Sequence, residues 1–116
     1  MKRVTFMAAV LSVFLGSAAE ARHYHARHHG LPWCGIYMSR YFGKSDRRLW
    51  LAREWAREGS PAGGPCIGCV AVWPHHVGVI TGQDQNGQWI VHSGNDGNAV
   101  RTRARSLTGV IAFRRV

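Results

Sequence analysis

Residues 68–95, GCVAVWPHHVGVITGQDQNGQWIVHSGN, contain the apolar runs and turn residues that decide the fold. Short runs rich in valine or isoleucine, bounded by glycine or proline, are typical of strands. The first run, ended by Pro74, predicts a strand buried on both faces. Asn86-Gly87 is a strong hairpin signal. We therefore expect three successive strands, at 69–73, 75–80 and 88–93.

Two helical patterns precede this stretch. In the first, at 33–42, five large side chains fall on one face at three- and four-residue spacing: Trp33, Tyr37, Met38, Tyr41 and Phe42. The second runs from 47 to 58, with Ser45 or Asp46 as its N-cap and Gly59 at its end. Its predicted inward residues are Leu49, Ala52, Trp55 and Ala56.

The C-terminal part adds two more strand patterns, at 99–103 and 109–114, and the glycine- and proline-rich segment 59–68 predicts a loop. Helices followed by successive hairpin strands indicate an α+β domain. We expect two N-terminal helices packed on an antiparallel sheet of about five strands.

The N-terminal segment carries the three regions of a secretory signal peptide. Two basic residues precede an apolar run at 4–15, and Ala19-Glu20-Ala21 is a small-x-small cleavage pattern. The run is too short to span a bilayer. We therefore expect residues 1–21 to be a signal peptide and the chain to be periplasmic or extracellular. Residues 22–30 would be a histidine-rich flexible leader, and 31–116 the domain.

The exported part is strongly basic. Removing residues 1–21 lowers the formal net charge from +9 to +8. An exported basic protein meets anionic wall polymers or lipid headgroups rather than nucleic acid, although a basic surface also keeps a small protein soluble. Arg101, Arg103 and Arg105 occupy alternate positions along a predicted strand. They could form a solvated outer face of the sheet, or they could contact carboxylates or phosphates.

Cys34 is the candidate nucleophile. It lies at the first turn of a predicted helix, where backbone N–H groups and a nearby imidazolium favour the thiolate. His76, at the start of a strand, can accept and return the thiol proton. A third group must orient the imidazole, and we favour Asn95 for this role. If the strand register differs by one residue, His92 would take its place.

The two other cysteines, Cys66 and Cys69, form a Cys-x-x-Cys pair. Export favours a disulfide between them, and a dithiol or a metal-binding pair is the alternative. A disulfide at 66–69 would leave Cys34 as the free thiol.

The motifs WCGIYM at 33–38, HHVGVI at 75–80 and VHSGN at 91–95 resemble the CHAP family (cysteine, histidine-dependent amidohydrolase/peptidase) of papain-like bacterial cell-wall peptidases. The resemblance spans about 31–116. It implies catalytic Cys34, His76 and Asn95, and cleavage of amide bonds in peptidoglycan. The family usually has Gly-Asp where this chain has Gly68-Cys69, and many members have Glu at the position of Ser93.

From this resemblance we expect an exported cysteine amidase or endopeptidase that acts on peptidoglycan or muropeptides. Trp33, Trp73 and Ser93 are expected to bind the substrate. We expect a monomer with no cofactor, no metal, no nucleic-acid partner and no stable membrane insertion. Two alternatives stay open: a non-catalytic, basic cell-wall-binding module on the same fold, and a metal-handling protein that uses the leader at 22–30.

Overall fold

The computed structural model describes residues 32–116, and the predicted signal peptide and leader lie outside these residues. One α-helix, α1, spans Cys34–Phe42. Two 3₁₀ helices follow, Arg47–Trp50 and Ala52–Arg57. Six strands come next: β1 (Ser60–Pro61), β2 (Val70–Trp73), β3 (His76–Gln83), β4 (Trp89–Ser93), β5 (Arg101–Ala104) and β6 (Ala112–Arg115). Within the described residues, no helix has the length and apolar character needed to cross a bilayer.

The strands form one open sheet in the order β1-β6-β2-β3-β4-β5, and every neighbouring pair is antiparallel. The predicted α+β class with an antiparallel sheet is therefore confirmed. The strand β2 is fully buried, as its unbroken apolar run predicted. Its alternate residues contribute to two cores, one facing α1 and the 3₁₀ helices and one on the opposite face of the sheet.

The helix α1 ends at Gly43, whose left-handed backbone (φ 68°) lets its N–H bond back to the last turn. Of the five large side chains predicted to share one face, Trp33, Tyr37 and Met38 are buried, whereas Tyr41 is 50% exposed.

The second predicted α-helix is replaced by the two 3₁₀ helices, which an extended Leu51 separates. Asp46 caps the first of them, accepting a hydrogen bond from the Arg48 backbone N–H. The Leu49 carbonyl, which a continuous α-helix would use internally, instead accepts from the buried Trp55 indole at 2.7 Å. The predicted inward residues Leu49, Ala52 and Trp55 are nevertheless buried.

The short strand β1 lies in the segment predicted to be a loop, and it pairs with β6 at one end of the sheet. Gly59, with φ 63°, makes this approach possible, because a Cβ there would overlap the Arg115 carbonyl. The Arg114 guanidinium donates to the carbonyls of Glu58 and Gly59, which ties the end of the second 3₁₀ helix to β6.

Candidate active site

Cys34 begins α1 and is a free, buried cysteine. Its Sγ lies 3.8 Å from the carbonyl oxygen of His75, and the Val77 backbone N–H also points towards the sulfur. These two backbone groups flank His76 along the chain. The sulfur therefore lies against the main chain where the β2–β3 turn enters β3. The contacts described for the His76 imidazole are with Ser93 and Trp73, on the sheet face opposite α1, and none is with the Cys34 sulfur.

His76 is half-buried, and its Nε2 is hydrogen-bonded to the Ser93 Oγ at 2.9 Å. The strand register explains this pair: Val79 lies opposite His92, so Gly78 faces Ser93, and His76 is the diagonal neighbour of Ser93 on the same face. A Cβ at Gly78 would lie 3.0 Å from the Ser93 Cβ. The missing side chain at Gly78 therefore makes room for β4.

Asn95, the expected orienting residue, lies beyond the end of β4 in a left-handed conformation with φ 54°. Both Asn95 and His76 are among the described residues, and no hydrogen bond joins them. Ser93, expected to bind substrate, instead holds the imidazole. Its side chain is fully buried.

His92, the alternate third member, points to the other face of the sheet. Its Nε2 lies 2.6 Å from the Tyr37 hydroxyl and its Nδ1 lies 2.7 Å from Thr102 Oγ1. Both ring nitrogens are therefore occupied by hydroxyl groups. The contact with Tyr37 holds β4 against α1, the helix that carries Cys34.

The two predicted tryptophans differ in their surroundings. Trp33 is 2% exposed within the core, where its indole donates to Asn98 Oδ1. The Trp73 ring lies beside the imidazole of His76, with ring centroids 5.8 Å apart, and the Arg105 guanidinium covers it at 5.0 Å. The structure thus places Trp73 next to His76.

Asp96 is a site residue that the sequence patterns did not single out. Its carboxylate is 4% exposed and accepts two 2.7 Å hydrogen bonds from Arg103, with Arg105 at 3.2 Å. These contacts hold the pKa of Asp96 below its ordinary value. The signal that could have revealed it is the single acid in SGNDG, followed by alternating arginines.

Burial raises the pKa of the Cys34 thiol, although the N–H groups of Gly35, Val77 and Cys34 itself and the charge of Arg105 act in the opposite direction. Burial and the positive charge of Arg105 lower the pKa of His76 to about 4, with Asp96 opposing them. At neutral pH the thiol and the imidazole are therefore both neutral. The structure does not support the expected resting thiolate, because desolvation outweighs the N–H groups at the helix end.

An open groove of about 520 Å³ leads to Cys34. It lies between α1, the 3₁₀ helices and the turn that joins β2 to β3. Its walls combine apolar side chains with two arginines: Pro32, Cys34, Ile36, Arg47, Trp50, Leu51, Ala52, Arg53, Pro74 and His75. Cys34 is one of the lining residues, although it is only 2% exposed.

Cys66 and Cys69 are joined by a disulfide, with their Cα atoms 5.3 Å apart. Within residues 32–116, no three His, Cys, Asp or Glu side chains cluster closely enough to hold a metal ion. The histidine-rich leader proposed as a metal-handling segment lies outside the described residues.

The depressed pKa of His76 predicts acid sensitivity. The imidazole of His76 binds a proton near pH 6.5 in the unfolded chain but only near pH 4 in the folded chain. The contribution of neutral His76 to the free energy of unfolding is therefore fully present above pH 6.5 and is lost as the pH falls towards 4. We expect His76 to contribute up to about 3 kcal/mol of this loss. Urea unfolding at pH 7 and pH 4.5 should show a smaller acid-induced loss for His76→Gln than for the wild type.

His75→Gln is the matched substitution at the exposed neighbouring position. An equal loss of stability in wild type and His76→Gln would show that the buried imidazole does not titrate as stated.

Comparison of the chain with protein-family models, curated proteins and solved structures gave no match.

Proposed function

We propose that this chain is an exported cysteine amidase or endopeptidase that hydrolyses amide bonds in peptidoglycan, with a papain-like arrangement of its site. The observation that carries the proposal is the position of the Cys34 sulfur against the backbone on both sides of His76. A nucleophile, a base and a group that orients the base are the parts required for such chemistry. Here Ser93 orients the base.

The reaction starts from the neutral pair. With Nε2–H of His76 donating to Ser93, Nδ1 carries the lone pair and accepts the thiol proton as Sγ attacks the amide carbonyl. The oxyanion binds the backbone N–H of Cys34. The imidazolium then gives its proton to the departing amine, the C–N bond breaks, and a thioester remains. Water, deprotonated by His76, hydrolyses the thioester and restores the thiol.

The groups around His76 favour this proton cycle. The buried carboxylate of Asp96 stabilises the imidazolium while it exists, whereas Arg105 disfavours it. The imidazole therefore remains a neutral base at rest and carries its charge only during the reaction. Trp73 lies against one side of the ring.

Peptidoglycan is the proposed substrate for three reasons: the signal-peptide pattern, the formal charge of +8 on the exported part and the resemblance of the Cys34, His76 and Asn95 motifs to cell-wall peptidases. Peptidoglycan carries free carboxylates, which suit a basic protein. The proposed location is the periplasm or the extracellular space.

Digestion of purified sacculi tests the proposal. The secreted protein should release soluble fragments, and mass spectrometry should identify a new amine and a new carboxylate, or a peptide freed from its sugar. Intact sacculi after prolonged incubation, with folded protein and a free thiol verified, would reject the proposed activity.

A second candidate is a non-catalytic cell-wall-binding module. It is favoured by the 2% exposure of Cys34 and by the raised pKa of its thiol, both of which oppose nucleophilic attack. For such a module, wild type and Cys34→Ser would sediment equally with sacculi and neither would release fragments.

A further inference from the structure

The charged residues around the two 3₁₀ helices divide into paired and unpaired groups. Glu54 and Glu58 form ion pairs with Arg48, and further pairs join Lys44 to Glu58 and Arg57 to Glu54. Arg47 and Arg53 belong to the same helices, but within residues 32–116 neither has a carboxylate partner. The local acids are thus engaged away from these two guanidinium groups.

Both unpaired arginines line the groove that contains Cys34. Arg47 lies over the Trp50 ring at 5.4 Å, and Arg53 is exposed on the second 3₁₀ helix. Between them, Trp50 is 39% exposed and Leu51 is 62% exposed. The groove that Cys34 lines therefore presents apolar surface and two guanidinium groups without a carboxylate partner among residues 32–116.

We propose that this groove binds a peptide segment that carries a free carboxylate, which Arg47 and Arg53 hold while apolar side chains contact Trp50 and Leu51. Guanidinium groups suit this role because they bind carboxylates through two parallel hydrogen bonds. The inference rests on the proposed function, since it assigns the part of the substrate next to the bond that Cys34 attacks. It makes Arg47 and Arg53 determinants of specificity for anionic peptides.

Alkylation of Cys34 tests the charge of the groove without requiring catalysis. Iodoacetate is anionic and iodoacetamide is neutral, and both react with the thiolate form of Cys34. Both rates are proportional to the fraction of thiolate, so their ratio is independent of that fraction and reports the effect of the reagent's charge. We expect Arg47→Gln/Arg53→Gln to lower the iodoacetate-to-iodoacetamide ratio by about three- to tenfold. Arg57→Gln removes one charge from the second 3₁₀ helix at a position outside the groove, and it should change the ratio less than about twofold.

Binding to Cys34→Ser provides the second measurement. A muropeptide with a free carboxylate should bind more tightly than the same peptide amidated at that group. The preference should disappear when Arg47→Gln/Arg53→Gln is added. An unchanged alkylation ratio, or an equal preference with and without the arginines, overturns the inference.

Turnover of the same two peptides by wild type reports separately on the proposed function. If neither is hydrolysed while the arginine-dependent preference persists, the hydrolase proposal fails and carboxylate binding stands. If both are hydrolysed at equal kcat/KM and bound equally, the activity stands and the role of Arg47 and Arg53 is rejected.

Discussion

Cys34→Ser is expected to reduce the release of fragments from sacculi by at least about 10³-fold while the domain stays folded. A serine hydroxyl is a much weaker nucleophile than a thiol at neutral pH. The substitution is otherwise conservative, because the hydroxyl can donate to the His75 carbonyl that the thiol now faces. Initial rates of fragment release, with thermal unfolding measured on the same samples, provide the test.

Cys66→Ser/Cys69→Ser is the matched control, since it alters the remaining cysteines outside the groove and leaves Cys34 intact. We expect this variant to retain activity at temperatures where it is folded. Full activity in Cys34→Ser would exclude the sulfur as the attacking atom.

Gly35→Ala should damage both stability and activity. The Cβ of the new alanine would lie 2.5 Å from the Leu49 carbonyl oxygen and would also overlap that of Trp50. These are backbone atoms, so the first 3₁₀ helix would have to move away from α1 by roughly 1 Å, a strain of about 1–3 kcal/mol. This exceeds the gain of up to about 1 kcal/mol in helix propensity.

The same displacement moves one wall of the groove relative to the sulfur. Because a misplacement of about 1 Å can cost about 10²-fold in rate, we expect a loss of that order in kcat/KM. Urea unfolding and initial rates measure the two effects. Gly82→Ala is the control: no atom lies within 4 Å of its added Cβ, so its stability should change by less than about 0.5 kcal/mol. Equal behaviour of the two variants would contradict the tight contact at Gly35.

The sheet could be predicted from the sequence because its strands are bounded by local signals. Pro74 and Asn86-Gly87 separate apolar runs, and the turn at 84–88 forms with Asp84 accepting from two backbone N–H groups. The second helix could not be predicted in this way. Its periodicity correctly identified Leu49, Ala52 and Trp55 as buried, whereas Ala56 is only partly buried. The indole of Trp55 competes for the Leu49 carbonyl only in the folded structure, which the sequence pattern does not reveal.

The site shows a similar division. Helix and strand signals predicted that Cys34 begins a helix and that His76 lies near the start of a strand, and the structure has both. The group that orients His76 depends on register and on the direction of the chain after β4, which local patterns do not specify. The sign of the Cys34 pKa shift depends on how deeply the helix end is buried, which is likewise a property of the assembled domain.

The two edge strands of the sheet, β1 and β5, determine how readily a strand from another molecule could extend the sheet. The strand β5 is exposed and carries Arg101 beside the ion-paired Arg103, so two copies joined along this border would bring their Arg101 side chains towards each other. At the opposite border β1 has only two residues, and Pro61 lacks the N–H that a further strand would need. Both borders are therefore poor templates for a strand from a neighbouring molecule.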